Sequence, residues 1–373
     1  MEKTENDVVP ALENEEAPAK RQCIRCCDVE KQEKQDIKEK DSSYFKSYEH
    51  IGIHEEMIRD VVRTNSYRLA ILRASESLIG KAVADVGAGT GVLSCFCVQA
   101  GARKVYAIEA SSIAKQAEKV AEANGASNKI NVIQDRVENI ELPEKVDAIV
   151  SEWMGHFLLY ESMLNSVILA RDKWLKKDGL ILPNKANLYL APFTNVSFYC
   201  ERIGFWSTVK ERFGVDMSCL ESEARKIFCS DVHIEVVDDS DLLARESLIS
   251  ELDLETLTQD DLESIKSPFR FSCFGRQTLC GFTAWFTVTF DTRVKGKETL
   301  TLSTSPDEPY THWRQCCMYL DKPVDVEQDT IIAGTITLTP GKQNRRFLNI
   351  ELTYQVDEGE AVTKYYSLTD GSS

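Results

Sequence analysis

The chain has 373 residues, 43% of them hydrophobic and 28% charged, with a formal net charge of -16. That length allows two or three domains with ample core, and the acidic balance argues against nucleic acid as a direct partner while suiting a basic peptide. Its 12 cysteines, with no signal peptide ahead of them, imply reduced thiols; no apolar run approaches the roughly 20 residues that span a bilayer, so a soluble intracellular protein with no membrane partner is expected.

Residues 1–43 carry 12 acidic and 8 basic side chains and few apolar ones, the composition of a disordered tail. Within it Cys23, Cys26 and Cys27 (CIRCC) amount to half a metal site with no second half nearby, so no metal is expected. Lys20 and Arg21 are too few for a nuclear import cluster. From Tyr44 the character changes. The stretch YFKSYEHIGIHEEMIRDVVRTNSYRLAI takes helical spacing from His54 onward, with Met57, Val61 and Val62 on one stripe. An amphipathic helix explains the stripe. It does not explain Tyr44, Tyr48, His54 and Arg63, polar groups gathered just ahead of a nucleotide-type unit.

That unit opens with KAVADVGAGTGVLSCFC. Ala82–Val86 reads as a buried strand, residues 87–91 as a glycine-rich turn and Val92–Ala100 as a helix. Such a turn lets backbone approach a ligand closely, and the helix N-terminus favours negative charge. Val105–Ile108 makes a second strand ending in Glu109, 24 residues after Asp85, about where an acidic residue grips ribose hydroxyls. Gly87, Gly89 and Gly91 follow G-x-G-x-G, whereas a dinucleotide fingerprint places its third glycine one position later. That G-x-G-x-G form resembles the first motif of S-adenosylmethionine-dependent methyltransferases, whose ligand has no pyrophosphate to cradle, and it departs from the fingerprint of a nicotinamide-dependent oxidoreductase. Lys129–Ile133 is the next strand; Glu138 beyond it is placed to reach an adenine edge, or equally to sit in solvent on a turn. Cys95 and Cys97 lack C-x-x-C spacing and read as small core residues.

After a further buried strand, Val146–Val150, comes SEWMGHFLLYESM, with Glu152 and Glu161 on either side of a short turn and a helix expected from near Glu161. A loop at the end of a strand in an α/β sheet is where ligands bind. Two carboxylates folded toward each other repel unless a cation lies between them. A guanidinium fits best, since its planar fork reaches two carboxylates and stays charged at neutral pH. Trp174–Leu182 then closes the α/β unit. Beyond Pro183 the period becomes two: Phe282, Ala284, Phe286, Val288 and Phe290 on one face, then Ile336 and Leu338, then Leu348, Ile350, Leu352, Tyr354 and Val356. This predicts a half-buried antiparallel sandwich or barrel. Residues 198–217 read as a helical insertion whose Phe205, Trp206 and Phe213 suit self-association, and the acidic run 238–261 reads as solvated helix and loop.

Together, YFKSYEHIGIHEEM, VADVGAGTG, SEWMGHFLLYESM and THWRQ (Thr311–Gln315) resemble the protein arginine methyltransferase family from Tyr44 to the C-terminus. The resemblance implies a Rossmann-like S-adenosylmethionine-binding domain over residues 44–183, and an antiparallel β-barrel domain over 184–373 with a helical dimerisation arm near 198–217. It implies that Glu152 and Glu161 clamp the substrate guanidinium and that His54, Arg63, Asp85, Gly87, Gly89, Glu109 and Glu138 form the cofactor site. Met57 and Met154 would shape the acceptor pocket of an enzyme of the asymmetric-dimethylating type, Tyr44 and Tyr48 would lie over it, and His312 and Trp313 would complete it, with His312 reaching Asp60. Expected partners are histone tails and Gly/Arg-rich proteins, and a second copy of the chain. The nucleus is the expected compartment, the cytoplasm the second. One position departs from the family: His156 stands where most relatives have tyrosine after SEWMG.

Overall fold

The computed structural model describes residues 44–369, so the tail and its CIRCC cysteines lie outside the described residues. The chain divides into two units between Lys46 and Ser47. Of the first, Tyr44 packs edge-on against Phe45 at 5.2 Å. The second holds every sheet among the described residues.

It starts with two helices where the apolar stripe predicts one, α1 (Ile51–Arg59) and α2 (Val61–Arg73). Asp60 breaks the run. It leaves helical geometry at φ -67°, ψ 93° and caps α2, its Oδ1 accepting the Arg63 N–H at 2.9 Å. Met57 and Val61 therefore part company, and Val61 is 64% exposed.

The five-stranded parallel sheet follows: β1 (Ala82–Val86), α3 (Val92–Gln99), β2 (Lys104–Glu109), α4 (Ala114–Ala123), β3 (Ile130–Gln134), β4 (Val146–Ser151), α5 (Leu164–Trp174) and β5 (Leu175–Leu182). The strand order is β3-β2-β1-β4-β5. All of β1 is buried, as a strand covered on both faces must be. Because β1 pairs with β2 on one side and β4 on the other, the order reverses there, opening a crevice at the strands' carboxyl ends. Val86 and Ser151 are the last registered pair, so the glycine turn and the glutamate turn leave the sheet side by side.

Antiparallel strands then take over: β6 (Lys185–Phe193), the helices α6 (Val196–Phe213) and α7 (Glu221–Phe228), and β7 (Val232–Glu235), β8 (Ser247–Asp253), β9 (Ile265–Ser272), β10 (Gln277–Phe290), β11 (Leu300–Ser303), β12 (Gln315–Val326), β13 (Ile331–Pro340), β14 (Leu348–Val356) and β15 (Val362–Leu368). One sheet runs β7-β12-β10-β6-β8 with β11 beside β10, and the other β15-β14-β13-β9. A bridge from Asp231 to Ser367 joins their edges in a barrel-like wall. Two expectations change here. The acidic run 238–261 contains β8, which pairs with β6 through a register shift that buries Ile249 and Leu252 but leaves Leu248 46% exposed. That bulge hides the period of two. And β10 is buried on both faces, because Tyr199, Ile203 and Phe228 from the base of the helical arm form a second core with Cys280, Cys317 and Tyr319. Further out the arm leaves Phe205 45% and Phe213 72% exposed, and Gly214, at φ 73°, ends α6.

Candidate active site

The glycine turn comes first. Gly87 has a φ of 73°, the left-handed region that favours glycine, and a Cβ there would also press on the Met163 methyl, 2.0 Å away. The Glu109 carboxylate at the end of β2 accepts the Gly89 N–H at 2.9 Å through one oxygen and the Ser111 N–H at 2.7 Å through the other. Strand end and turn are thereby tied together. Asp85 lies beneath the turn, fully buried; its Oδ2 accepts the Ser94 hydroxyl at 2.6 Å and its Oδ1 has no partner. Burial pushes its carboxyl up to about 7 against the Ser94 bonds that favour ionisation. His54 is buried on α1, its Nε2 2.9 Å from the Tyr48 carbonyl. Glu138 is half-exposed, bonded to Ser166 and Arg136. A glycine cradle closed to any side chain, with an acidic strand end beside it, fits a nucleoside with hydroxyls to offer.

The glutamate turn is bent hard. Between Glu152 and the start of α5 at Leu164, four non-glycine residues have positive φ: Phe157 (52°), Leu158 (64°), Glu161 (76°) and Ser162 (55°). Each is a conformation that L residues adopt at a cost of order 1–3 kcal/mol. The helix expected near Glu161 therefore begins three residues later. Gly155 makes the bend possible, since a Cβ there would meet the Tyr160 carbonyl oxygen at 2.1 Å.

Both carboxylates are held. Arg63 donates from Nε at 3.1 Å and Nη2 at 2.9 Å to a single oxygen of Glu152, with both side chains nearly buried. The Tyr48 hydroxyl donates to Glu161 at 2.7 Å. Glu161 also exchanges backbone contacts with the β13–β14 hairpin: its N–H donates to the Arg346 carbonyl at 2.7 Å and its carbonyl accepts from the Arg346 guanidinium at 2.7 Å. On the barrel side, Asp60 Oδ2 accepts the His312 Nδ1–H at 2.7 Å and the His312 backbone N–H at 2.9 Å. Burial alone would raise the Asp60 carboxyl; those bonds and the Arg63 N–H outweigh it and hold it below the usual range. Trp313 is buried, its Nε1 donating to the Met154 carbonyl at 2.9 Å. Met154 Sδ lies 3.5 Å from the Tyr67 hydroxyl, and the Met57 carbonyl accepts from Arg63. His156 donates from Nδ1 to the Trp313 carbonyl at 3.2 Å, and burial, then the nearby His312, bring its imidazole down to about 4.

The structure thus brings together Tyr48, His54, Met57, Arg63, Glu109, Glu152, Met154, Glu161, His312 and Trp313, while Glu138 stands further out. Tyr44 belongs to the other unit. Sequence reading passed over Arg346, Tyr67 and Cys316, whose partners on the turn lie 84 or more residues away, so no local pattern marks them.

Residues 184–359 match the family model described as the arginine methyltransferase oligomerization subdomain, and residues 64–186 that of ribosomal protein L11 methyltransferase. The chain is 51% identical to protein arginine N-methyltransferase 6 of Danio rerio, over 91% of its own length and 97% of that protein's. The chain belongs to the protein arginine methyltransferase family. Identity to the Xenopus tropicalis protein of the same name is 49%, over 91% and 98%. Among solved structures of this family, that of the Trypanosoma brucei PRMT1 enzyme–prozyme heterotetramer with AdoHcy aligns with a TM-score of 0.80 at 34% identity, covering 87% of this chain and all of that one. Protein arginine methyltransferase 10 of Arabidopsis thaliana gives 0.79 at 32%, with the same coverage. In this chain one carboxylate of the glutamate turn already holds a guanidinium, that of Arg63.

Proposed function

We propose that this enzyme transfers methyl groups from S-adenosylmethionine to arginine side chains of proteins and gives mono- and asymmetric dimethylarginine. The observation that carries the reading is Glu152 and Glu161 on one strained turn, with Glu152 bonded to a guanidinium. The Trypanosoma brucei relative's structure contains AdoHcy, and the residues here fit such a group: the Gly87–Gly89 cradle, Glu109 for ribose hydroxyls, Arg63 for the amino-acid carboxylate, Glu138 toward the base, with Asp85 and His54 supporting the cradle. When bound, the cofactor supplies an electrophilic methyl on a sulfonium.

The chain's residues must then supply nucleophilicity and aim. A guanidinium is a poor nucleophile because its lone pairs are delocalised. Glu152 and Glu161 draw the positive charge toward the nitrogens they bind and leave the remaining terminal nitrogen richer in electrons and fixed in direction. Alignment of this kind is worth about 7–11 kcal/mol of barrier, and the buried surroundings strengthen it. Met57 and Met154 would bound an acceptor pocket that takes a second methyl on the same nitrogen, and Tyr48, bonded to Glu161, would cover it. Trp313 fixes the turn. His312 donates Nδ1–H to Asp60, so Nε2 is free to take the proton that the methylated product sheds.

Histone tails and Gly/Arg-rich proteins are the proposed substrates, two copies of the chain paired through the arm the proposed assembly, and the nucleus the proposed compartment with a cytoplasmic pool. The test is mass spectrometry of histone H3 and Gly/Arg-rich peptides after reaction with labelled S-adenosylmethionine. Asymmetric dimethylarginine is expected; symmetric product would discard the pocket assignment.

A further inference from the structure

We infer that Cys316, on a barrel strand, is a positioning residue for catalysis: its sulfur holds the amide at which the glutamate turn enters its strained conformation. The inference rests on the clamp reading above. Four of the turn's backbone donors bond within it and one reaches the barrel. Gly155 N–H donates to Leu158, Leu159 to Phe157, Tyr160 to His156, Glu161 to Arg346 and Ser162 to Leu159. The Phe157 N–H instead points away from the turn and meets Cys316 Sγ at 3.1 Å.

Phe157 is the first of the positive-φ residues, and with Leu158 it forms a pair 1% exposed. A buried N–H without an acceptor is rarely tolerated. Here the acceptor it meets is the Cys316 sulfur. Cys316 sits opposite Ala284 of β10 and Ile234 of β7, in the middle of the sheet, so its sulfur cannot retreat. It is the last of three contacts in register: Met154 carbonyl to Trp313 Nε1, His156 Nδ1 to Trp313 carbonyl, Phe157 N–H to Cys316 Sγ. The first two fix the turn's start near Glu152. The third fixes the reversal that sends the chain back toward Glu161. Lose it, and the separation of the two carboxylates is set by the turn's own preferences, which oppose the observed φ values. Burial pushes the Cys316 thiol up to about 12, so it stays a neutral thiol and acts as an acceptor, not a nucleophile.

The experiment compares full-length parent, Cys316→Ala, Cys316→Val and Cys316→Ser in steady-state transfer from labelled S-adenosylmethionine to a Gly/Arg-rich peptide. Affinity for S-adenosylhomocysteine is measured alongside by calorimetry, and thermal midpoint by fluorescence. Valine keeps the bulk without the acceptor; serine keeps an acceptor. The expected result is a kcat about 10-fold lower for Ala and Val, with S-adenosylhomocysteine affinity within about 2-fold of parent, and recovery of most turnover in Ser. A small misplacement of reacting groups is sufficient for losses of that order. Parent-like kcat in Val, or in Ala should Val not fold, overturns the inference, as does a Ser variant no better than Val. Should the parent itself transfer no methyl group to arginine, the clamp reading has failed first, and the two failures are told apart.

Discussion

Arg63→Met should cost far more than the same change at a surface arginine would. Arg63 is 5% exposed and sends two donors to one oxygen of Glu152, with a third to the Met57 carbonyl. Removing one partner of a buried ion pair strands the other charge, a loss of about 3–5 kcal/mol. Truncating both together strands none, so Arg63→Met combined with Glu152→Gln should lose only about 1–2 kcal/mol. With each single corner stranding one charge, the double-mutant cycle then gives a coupling of at least about 4 kcal/mol, above the roughly 0.5–3 kcal/mol usual for contacting residues. Urea unfolding followed by tryptophan fluorescence measures each corner in the absence of cofactor. Additive losses would refute the reasoning, because they would mean that the two side chains do not share one desolvated interaction. The same variant should bind S-adenosylhomocysteine at least 10-fold more weakly, if Arg63 also serves the cofactor carboxylate.

Three further outcomes follow from particular contacts. Asp60 has its carboxyl lowered in the fold, so the stability it contributes is present above the unfolded value near 3.8 and lost as pH falls through the still lower folded value; Asp60→Asn should remove that part of the acid limb of a thermal-melt series and cut turnover about 10-fold through His312. His156 is lowered to about 4, so the unfolded chain binds the extra proton first and stability drops as pH falls from about 6.5 to 4. His156→Gln should flatten the thermal midpoint across that window. Gly155→Ala places a methyl 2.1 Å from the Tyr160 carbonyl oxygen; turnover should fall by about 100-fold or more while S-adenosylhomocysteine still binds in calorimetry, because the glycine cradle lies on another turn.

Much of this site is legible in the chain because its parts are local. The strand, glycine turn and helix from Ala82 to Gln99 follow from apolar residues bracketing Gly87, Gly89 and Gly91, and the two glutamates declare themselves by lying on one short turn after a buried strand. What the sequence hides is of three kinds. Asp60 is one: a helical stripe runs through it, yet its side chain caps α2 and grips His312, and tertiary contact outweighs periodicity. The others are long-range. Phe157 and Cys316 are 159 positions apart, Glu161 and Arg346 185, and only the folded barrel shows that it carries the turn. The missed strand β8 is a third case, its alternation broken where Ile249 is skipped in the pairing opposite Leu188 and Tyr189 of β6.

The central claim is that two carboxylates on one strained turn make the arginine nitrogen reactive. The most direct test is single-turnover methyl transfer to a Gly/Arg-rich peptide by parent, Glu152→Gln and Glu161→Gln, each saturated with S-adenosylmethionine as judged by calorimetry. Each substitution should slow transfer by about 100-fold or more with cofactor affinity nearly unchanged for Glu161→Gln. Transfer at the parent rate in either variant would contradict the account.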